Sequence, residues 1–128
     1  MRRRALVLGL ALTLTSACSR GGSRTPAVDE RELRSPEARA RGGALYARHC
    51  ALCHGERADG HGPRGRWMKA RPANLRVPPL RARMTPGQLL QVLRDGRPRT
   101  AMPAWRTLGQ RALLDLAAFL WTLPPVGR

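Results

Sequence analysis

The sequence predicts an all-α domain of three main helices joined by irregular chain. Three observations carry this. Apolar residues recur at helical spacing in three stretches after residue 35. No stretch alternates apolar and polar residues as a half-buried strand does. The chain from Cys53 to Arg83 is rich in proline and glycine and has no period of its own. Length and composition bound the rest. The chain has 128 residues, 24 Lys+Arg against 8 Asp+Glu, and only 4% aromatics. This excludes a multidomain enzyme and a large aromatic core. A multi-span membrane protein is also excluded, because no apolar run reaches the ~20 residues a spanning helix needs.

The N-terminus reads as an export signal. Arg2, Arg3 and Arg4 form a basic head, and Ala5 to Ala17 is apolar but too short to span a bilayer. Small residues then lead into Cys18. Thr15-Ser16-Ala17-Cys18 resembles a bacterial lipobox, in which the cysteine takes a diacylglycerol and becomes the new N-terminus. Residues 1–17 are therefore expected to be a lipoprotein-type signal peptide, with Cys18 the lipidation site. The mature chain is expected on the periplasmic side, anchored to a bacterial membrane. Residues 18–35 show no apolar period and read as a flexible tether, with a reach of about 23 Å. Residues 36–128 form the domain.

The first helix opens at Ser35-Pro36, a capping serine before a proline suited to the first helical position. Ala38, Gly42, Leu45, Tyr46 and His49 then line one face, and the helix is expected to end near Cys50. The second opens at Thr85-Pro86-Gly87-Gln88, a capping box, with Met84 and Leu89 placed for a hydrophobic staple. It stops at Asp95-Gly96. The third is expected to open with a second such box, Thr107 to Gln110, and to run through Leu113, Leu116 and Leu120 to Leu123 before Pro124-Pro125. The long Cys53–Arg83 stretch argues against a compact domain unless it wraps around something.

Cys50-Ala51-Leu52-Cys53-His54 supplies the object. A C-x-x-C-H string is the attachment signature of c-type haem. Two thiols three residues apart on a helical turn reach the two vinyl groups of one porphyrin and form thioethers. The adjacent His54 is then carried under the ring, where its imidazole ligates iron. A thioredoxin-type dithiol needs a βαβ pattern that is missing. A zinc-binding structural module would draw on His49, Cys50, Cys53, His54 and His61, but no second ligand pair stands at finger spacing. For the sixth iron ligand the candidates are His61, Met68, Met84 and Met102. Met102 is preferred: it lies 48 residues past His54, and Pro103 stiffens the segment that presents its sulfur. Met68 and Met84 read as packing, and His61 is too close in sequence to cross the ring.

Residues 36–123 resemble a small class I cytochrome c of the bacterial monohaem type. The resemblance rests on the C-x-x-C-H string, Gly42 and Tyr46 at eight and four residues before Cys50, the turn Gly60-His61-Gly62-Pro63, and Gly96 ahead of Met102-Pro103. It implies a class I cytochrome c fold holding one covalent haem c, with His54 and Met102 as axial ligands. It implies that Gly42 lets the first helix cross closely over the last, against Phe119, Leu116 and Leu120. It gives the carbonyl of Pro63 the role of accepting the His54 ring N–H. Phe119 stands where the family more often has tyrosine.

The function expected is one-electron transfer, by a free carrier or by the cytochrome subunit of a respiratory oxidoreductase, with no catalytic acid–base pair. A pentacoordinate haem sensor or peroxide-reactive haem protein is the alternative. With the signal's three arginines removed, the side-chain charge is still +13. An acidic redox partner protein is expected from it. Nucleic acid is not, since no groove-reading motif or aromatic-interleaved basic block is present.

Overall fold

The computed structural model describes residues 28–126. The expected signal peptide and Cys18 lie outside the described residues. Among those described there are five α-helices and three short 3-10 turns, and no strand. The helices are α1 (Glu30–Leu33), α2 (Pro36–His49), α3 (Ala51–His54), α4 (Pro86–Asp95) and α5 (Gln110–Trp121). This is an all-α architecture, as the sequence predicts.

The frame is the crossing of α2 on α5. Ser35 caps α2, its side chain accepting from the Ala38 N–H at 3.3 Å, with Pro36 at the first position. Ala38, Gly42 and Tyr46 are the buried residues of α2, spaced by four. α2 packs on α5, whose Leu113, Leu116, Ala117 and Leu120 are all below 5% exposed. At Gly42 the backbones touch. A Cβ there would overlap the Asp115 carbonyl oxygen and stand 2.9 Å from the Phe119 Cβ. One turn on, Tyr46 packs on Phe119 with ring centroids 5.1 Å apart. The Tyr46 hydroxyl donates to the Gly55 carbonyl at 2.6 Å and so ties α2 to the end of α3.

The same crossing carries an ion pair. Arg41 Nε lies 2.7 Å from Asp115 Oδ2, and its Nη2 donates to Oδ1 at 2.8 Å. Asp115 is 4% exposed, the one buried charged residue described, and the two-point geometry satisfies both of its oxygens. Arg111 adds a longer contact from the next turn of α5.

α4 is capped as its sequence requires. The Thr85 N–H donates to Gln88 Oε1 at 2.7 Å, and the Gln88 N–H donates to Thr85 Oγ1 at 3.2 Å. Leu89, Leu90 and Leu93 bury its inner face.

Two expectations are corrected. Residues 29–34 do not belong to a tether. Asp29 caps α1 by accepting the Arg31 N–H at 2.8 Å, and Leu33 is wholly buried against the core. Burial of one leucine, about 2 kcal/mol, holds a helical turn too short to show a period. The second capping box does not form either. Thr107 lies inside the 3-10 turn Arg106–Leu108, and α5 starts after Gly109, whose φ of +83° turns the chain without a side-chain cap. α5 ends at Trp121, short of Leu123.

Candidate haem site

The C-x-x-C-H string folds as one helical turn behind α2. Cys50 closes α2, its N–H donating to the Tyr46 carbonyl at 2.8 Å. The Cys50 carbonyl accepts the N–H groups of Cys53 at 3.1 Å and His54 at 2.8 Å. Both thiols and the imidazole therefore stand on a single turn, each half-buried. Neither cysteine is in a disulfide. Burial, with the Cys53 thiol adding a smaller effect, pushes the Cys50 thiol up to about 11. It is a neutral thiol at pH 7, unlike the low-pKa thiolate of a dithiol oxidoreductase.

His54 is oriented by backbone. Its Nδ1 lies 3.0 Å from the Ala73 carbonyl oxygen. A carbonyl only accepts, so Nδ1 carries the proton and Nε2 keeps its lone pair for a metal. Burial lowers the ring's pKa, outweighing the Ala73 bond that raises it, and the imidazole stays neutral. The resemblance gave the acceptor role to Pro63. In the structure Pro63 is exposed, and the turn it sits in bonds elsewhere: the Gly62 N–H donates to the Cys53 carbonyl at 3.2 Å and the Arg64 N–H to that of Leu52 at 3.0 Å. Ala73 reaches His54 because residues 72–75 lie against 58–60. The Leu75 N–H donates to the Ala58 carbonyl at 2.9 Å, and a Cβ on Gly60 would stand 2.7 Å from the Pro72 carbonyl.

The Met102 loop returns to the same end of the molecule. Gly96 ends α4 with φ +71° and ψ −163°, and a Cβ there would stand 2.7 Å from the Met102 carbonyl oxygen. The Arg97 N–H donates to that oxygen at 3.2 Å, and the Trp105 N–H to the Leu93 carbonyl at 3.0 Å. Trp105 then packs on His49, the residue before Cys50, with ring centroids 5.3 Å apart. The distal-loop candidate and the attachment turn are thus joined through one aromatic contact. Met102, Trp105, Met84, Leu45 and Leu75 are half-buried apolar side chains packed on the core.

These residues fit a covalently held porphyrin: two free thiols on one turn, an imidazole with Nε2 available, and half-buried apolar side chains around the core. They do not fit zinc. Among the described residues no three His, Cys, Asp or Glu side chains stand together for a metal ion. His61 is exposed, its Nδ1 3.1 Å from the Asp59 carbonyl oxygen, and Met68 sits in the loop after the Gly65–Trp67 turn. Sequence reasoning missed Ala73, because a backbone acceptor leaves no mark on residue type. It also missed the His49–Trp105 contact, which only the tertiary fold brings together.

Comparisons with known proteins agree with this geometry. Residues 37–120 match the family model described as "Cytochrome C oxidase, cbb3-type, subunit III". A relative, the dihydro-heme d1 dehydrogenase of Pseudomonas aeruginosa, is 35% identical over 88 residues, covering 67% of this chain. The match spans only 16% of that relative's length. Among solved structures, a chain of the Kuenenia stuttgartiensis reducing HAO-like protein complex superposes with a TM-score of 0.58. It is 23% identical and covers 66% of this chain and 41% of that one, which supports the fold. The family match takes in α2 through most of α5, the two ends of the frame that holds the Cys50–His54 turn. The chain therefore belongs to the cytochrome c family of the cbb3-type subunit III description, a haem-containing electron-transfer domain.

Proposed function

We propose that this chain is an exported, lipid-anchored monohaem carrier of single electrons, or the cytochrome subunit of a respiratory oxidoreductase. In this reading one haem c is bound through thioethers to Cys50 and Cys53, and His54 and Met102 are the axial ligands. The observation that carries it is the Cys50–His54 turn, with the Nδ1 of His54 committed to Ala73 and Nε2 left for iron. When bound, haem supplies a one-electron ferric/ferrous couple, and a thioether ligand favours the ferrous form.

The chain's own residues do the rest. The Ala73 carbonyl fixes the imidazole and raises its basicity. Gly96 and the Trp105–His49 contact hold the Met102 loop against the end of α2. Diacylglycerol on Cys18 would keep the domain at the periplasmic face of a membrane. The basic surface would meet an acidic redox partner in a brief, salt-sensitive encounter. A role beside a separate catalytic unit accords with the Pseudomonas aeruginosa relative, of which this chain matches a minor part.

The test is the ferric spectrum of protein matured with haem. A sulfur–iron charge-transfer band at the red end of the visible range is expected. It should vanish in Met102→Ala and persist in Met68→Ala and Met84→Ala. Loss of the band in Met84→Ala alone contradicts the distal assignment. A wild type without the band that binds carbon monoxide points instead to a pentacoordinate sensor or peroxide-reactive site.

A further inference from the structure

The segment from Arg64 to Arg71 carries four cations, Arg64, Arg66, Lys69 and Arg71, and no acid. None of the four has a carboxylate at ion-pair distance among the described residues. The nearby Asp59 is occupied by Arg57 at 3.1 Å and by the His61 N–H at 3.0 Å. At the centre of the segment the turn Gly65–Trp67 lifts the Trp67 indole into solvent, 83% exposed. It is the most exposed large apolar side chain described. Beside it lies a pocket of about 170 Å³ bordered by His61, Arg66 and Arg71. The backbone N–H groups of the three glycines that line the pocket are already bonded: Gly60 to His54, Gly62 to Cys53 and Gly65 to Gly62. What it offers a ligand is side-chain positive charge.

We infer that this segment is a docking surface for an anionic phospholipid bilayer, with Trp67 entering the headgroup layer and Arg66 and Arg71 receiving lipid phosphates. An indole has an apolar body and one N–H donor, which suits the depth where hydrocarbon gives way to headgroups. Cations flanking an exposed aromatic are the pattern of interfacial segments. Each cation brought to an anionic surface raises affinity about five-fold. The segment is bonded to the Cys50–His54 turn, the Arg64 N–H donating to the Leu52 carbonyl at 3.0 Å. A bilayer holding Trp67 therefore lies beside the haem attachment turn. This inference stands on the segment alone and not on lipid at Cys18.

The experiment uses the full haem-loaded chain carrying Cys18→Ser, sedimented with vesicles of phosphatidylcholine alone or mixed with phosphatidylglycerol. Binding to the mixed vesicles and not to phosphatidylcholine is expected. Arg66→Gln with Arg71→Gln should weaken it about twenty-five-fold. Trp67→Ala should also weaken it, with the visible spectrum unchanged. Arg39→Gln with Arg48→Gln, two exposed cations of α2, should bind as the parent does. An equal loss in that control pair means diffuse charge and overturns the proposal. So does a changed haem spectrum in Trp67→Ala, which would make the indole a cover for the haem. Segment variants that keep vesicle binding but lose electron transfer to an acidic protein would assign the surface to a protein.

Discussion

Gly42 and Asp115 mark the point where α2 and α5 cross, and their backbones are in contact there. Any Cβ on Gly42 would overlap the Asp115 carbonyl oxygen. Gly42→Ala must therefore push the helices apart along the frame that positions Cys50. A loss of about 2 kcal/mol is expected, the usual cost of overpacking a core. Gly43→Ala is the control, since its Cβ would sit 3.4 Å from the Phe119 ring in near-ordinary contact. Urea midpoints of the two variants compare them. Equal shifts would show that the crossing tolerates a methyl group.

Tyr46 makes the fold sensitive to alkali. Burial, with smaller effects from Cys50 and Asp59, pushes its phenol far above the ordinary value of 10.0. The folded pKa is the higher one. Its contribution is complete below pH 10 and is lost as pH rises toward the folded value. Tyr46→Phe removes the bond to the Gly55 carbonyl and should cost about 1 kcal/mol at neutral pH. Above pH 10 its stability should fall less steeply than wild type's. Denaturation series at neutral and alkaline pH measure both. Parallel curves would mean that Tyr46 does not set the alkaline limb.

Gly96 holds the Met102 loop by conformation. Its φ of +71° is costly for any residue with a Cβ, and such a Cβ would press on Met102 and Pro103. Gly96→Ala should destabilise the fold by about 1–3 kcal/mol. It should also weaken the sulfur–iron band of the ferric protein. A destabilised variant with the band at full strength would separate the loop from the ligand.

Electron transfer with an acidic partner protein should slow as salt rises, because screening shortens the range of the steering field to about 8 Å at physiological ionic strength. Stopped-flow rates across a salt series test it. A rate independent of salt would make the arginine excess compositional only.

Much of the fold was legible because its signals are local. Ser35, Thr85 and Gln88 act within four residues, and the structure uses each as the sequence implies. The missed parts are those decided across the chain. α1 exists because Leu33 finds the core, and Thr107 fails as a cap because Gly109 turns the backbone first. The Arg41–Asp115 pair joins residues 74 apart and shows in no local pattern. At the site, the C-x-x-C-H spacing made it legible that Cys50, Cys53 and His54 share one helical turn. The His54 acceptor was not, since Ala73 acts through its carbonyl and any residue has one.

The central claim is covalent haem on the Cys50–His54 turn. Mass measurement of the denatured, matured protein tests it most directly. The account predicts a mass higher by one haem in wild type and none in the Cys50→Ala/Cys53→Ala double variant. A wild type that loses its haem on denaturation, or a double variant that keeps it, would contradict the claim.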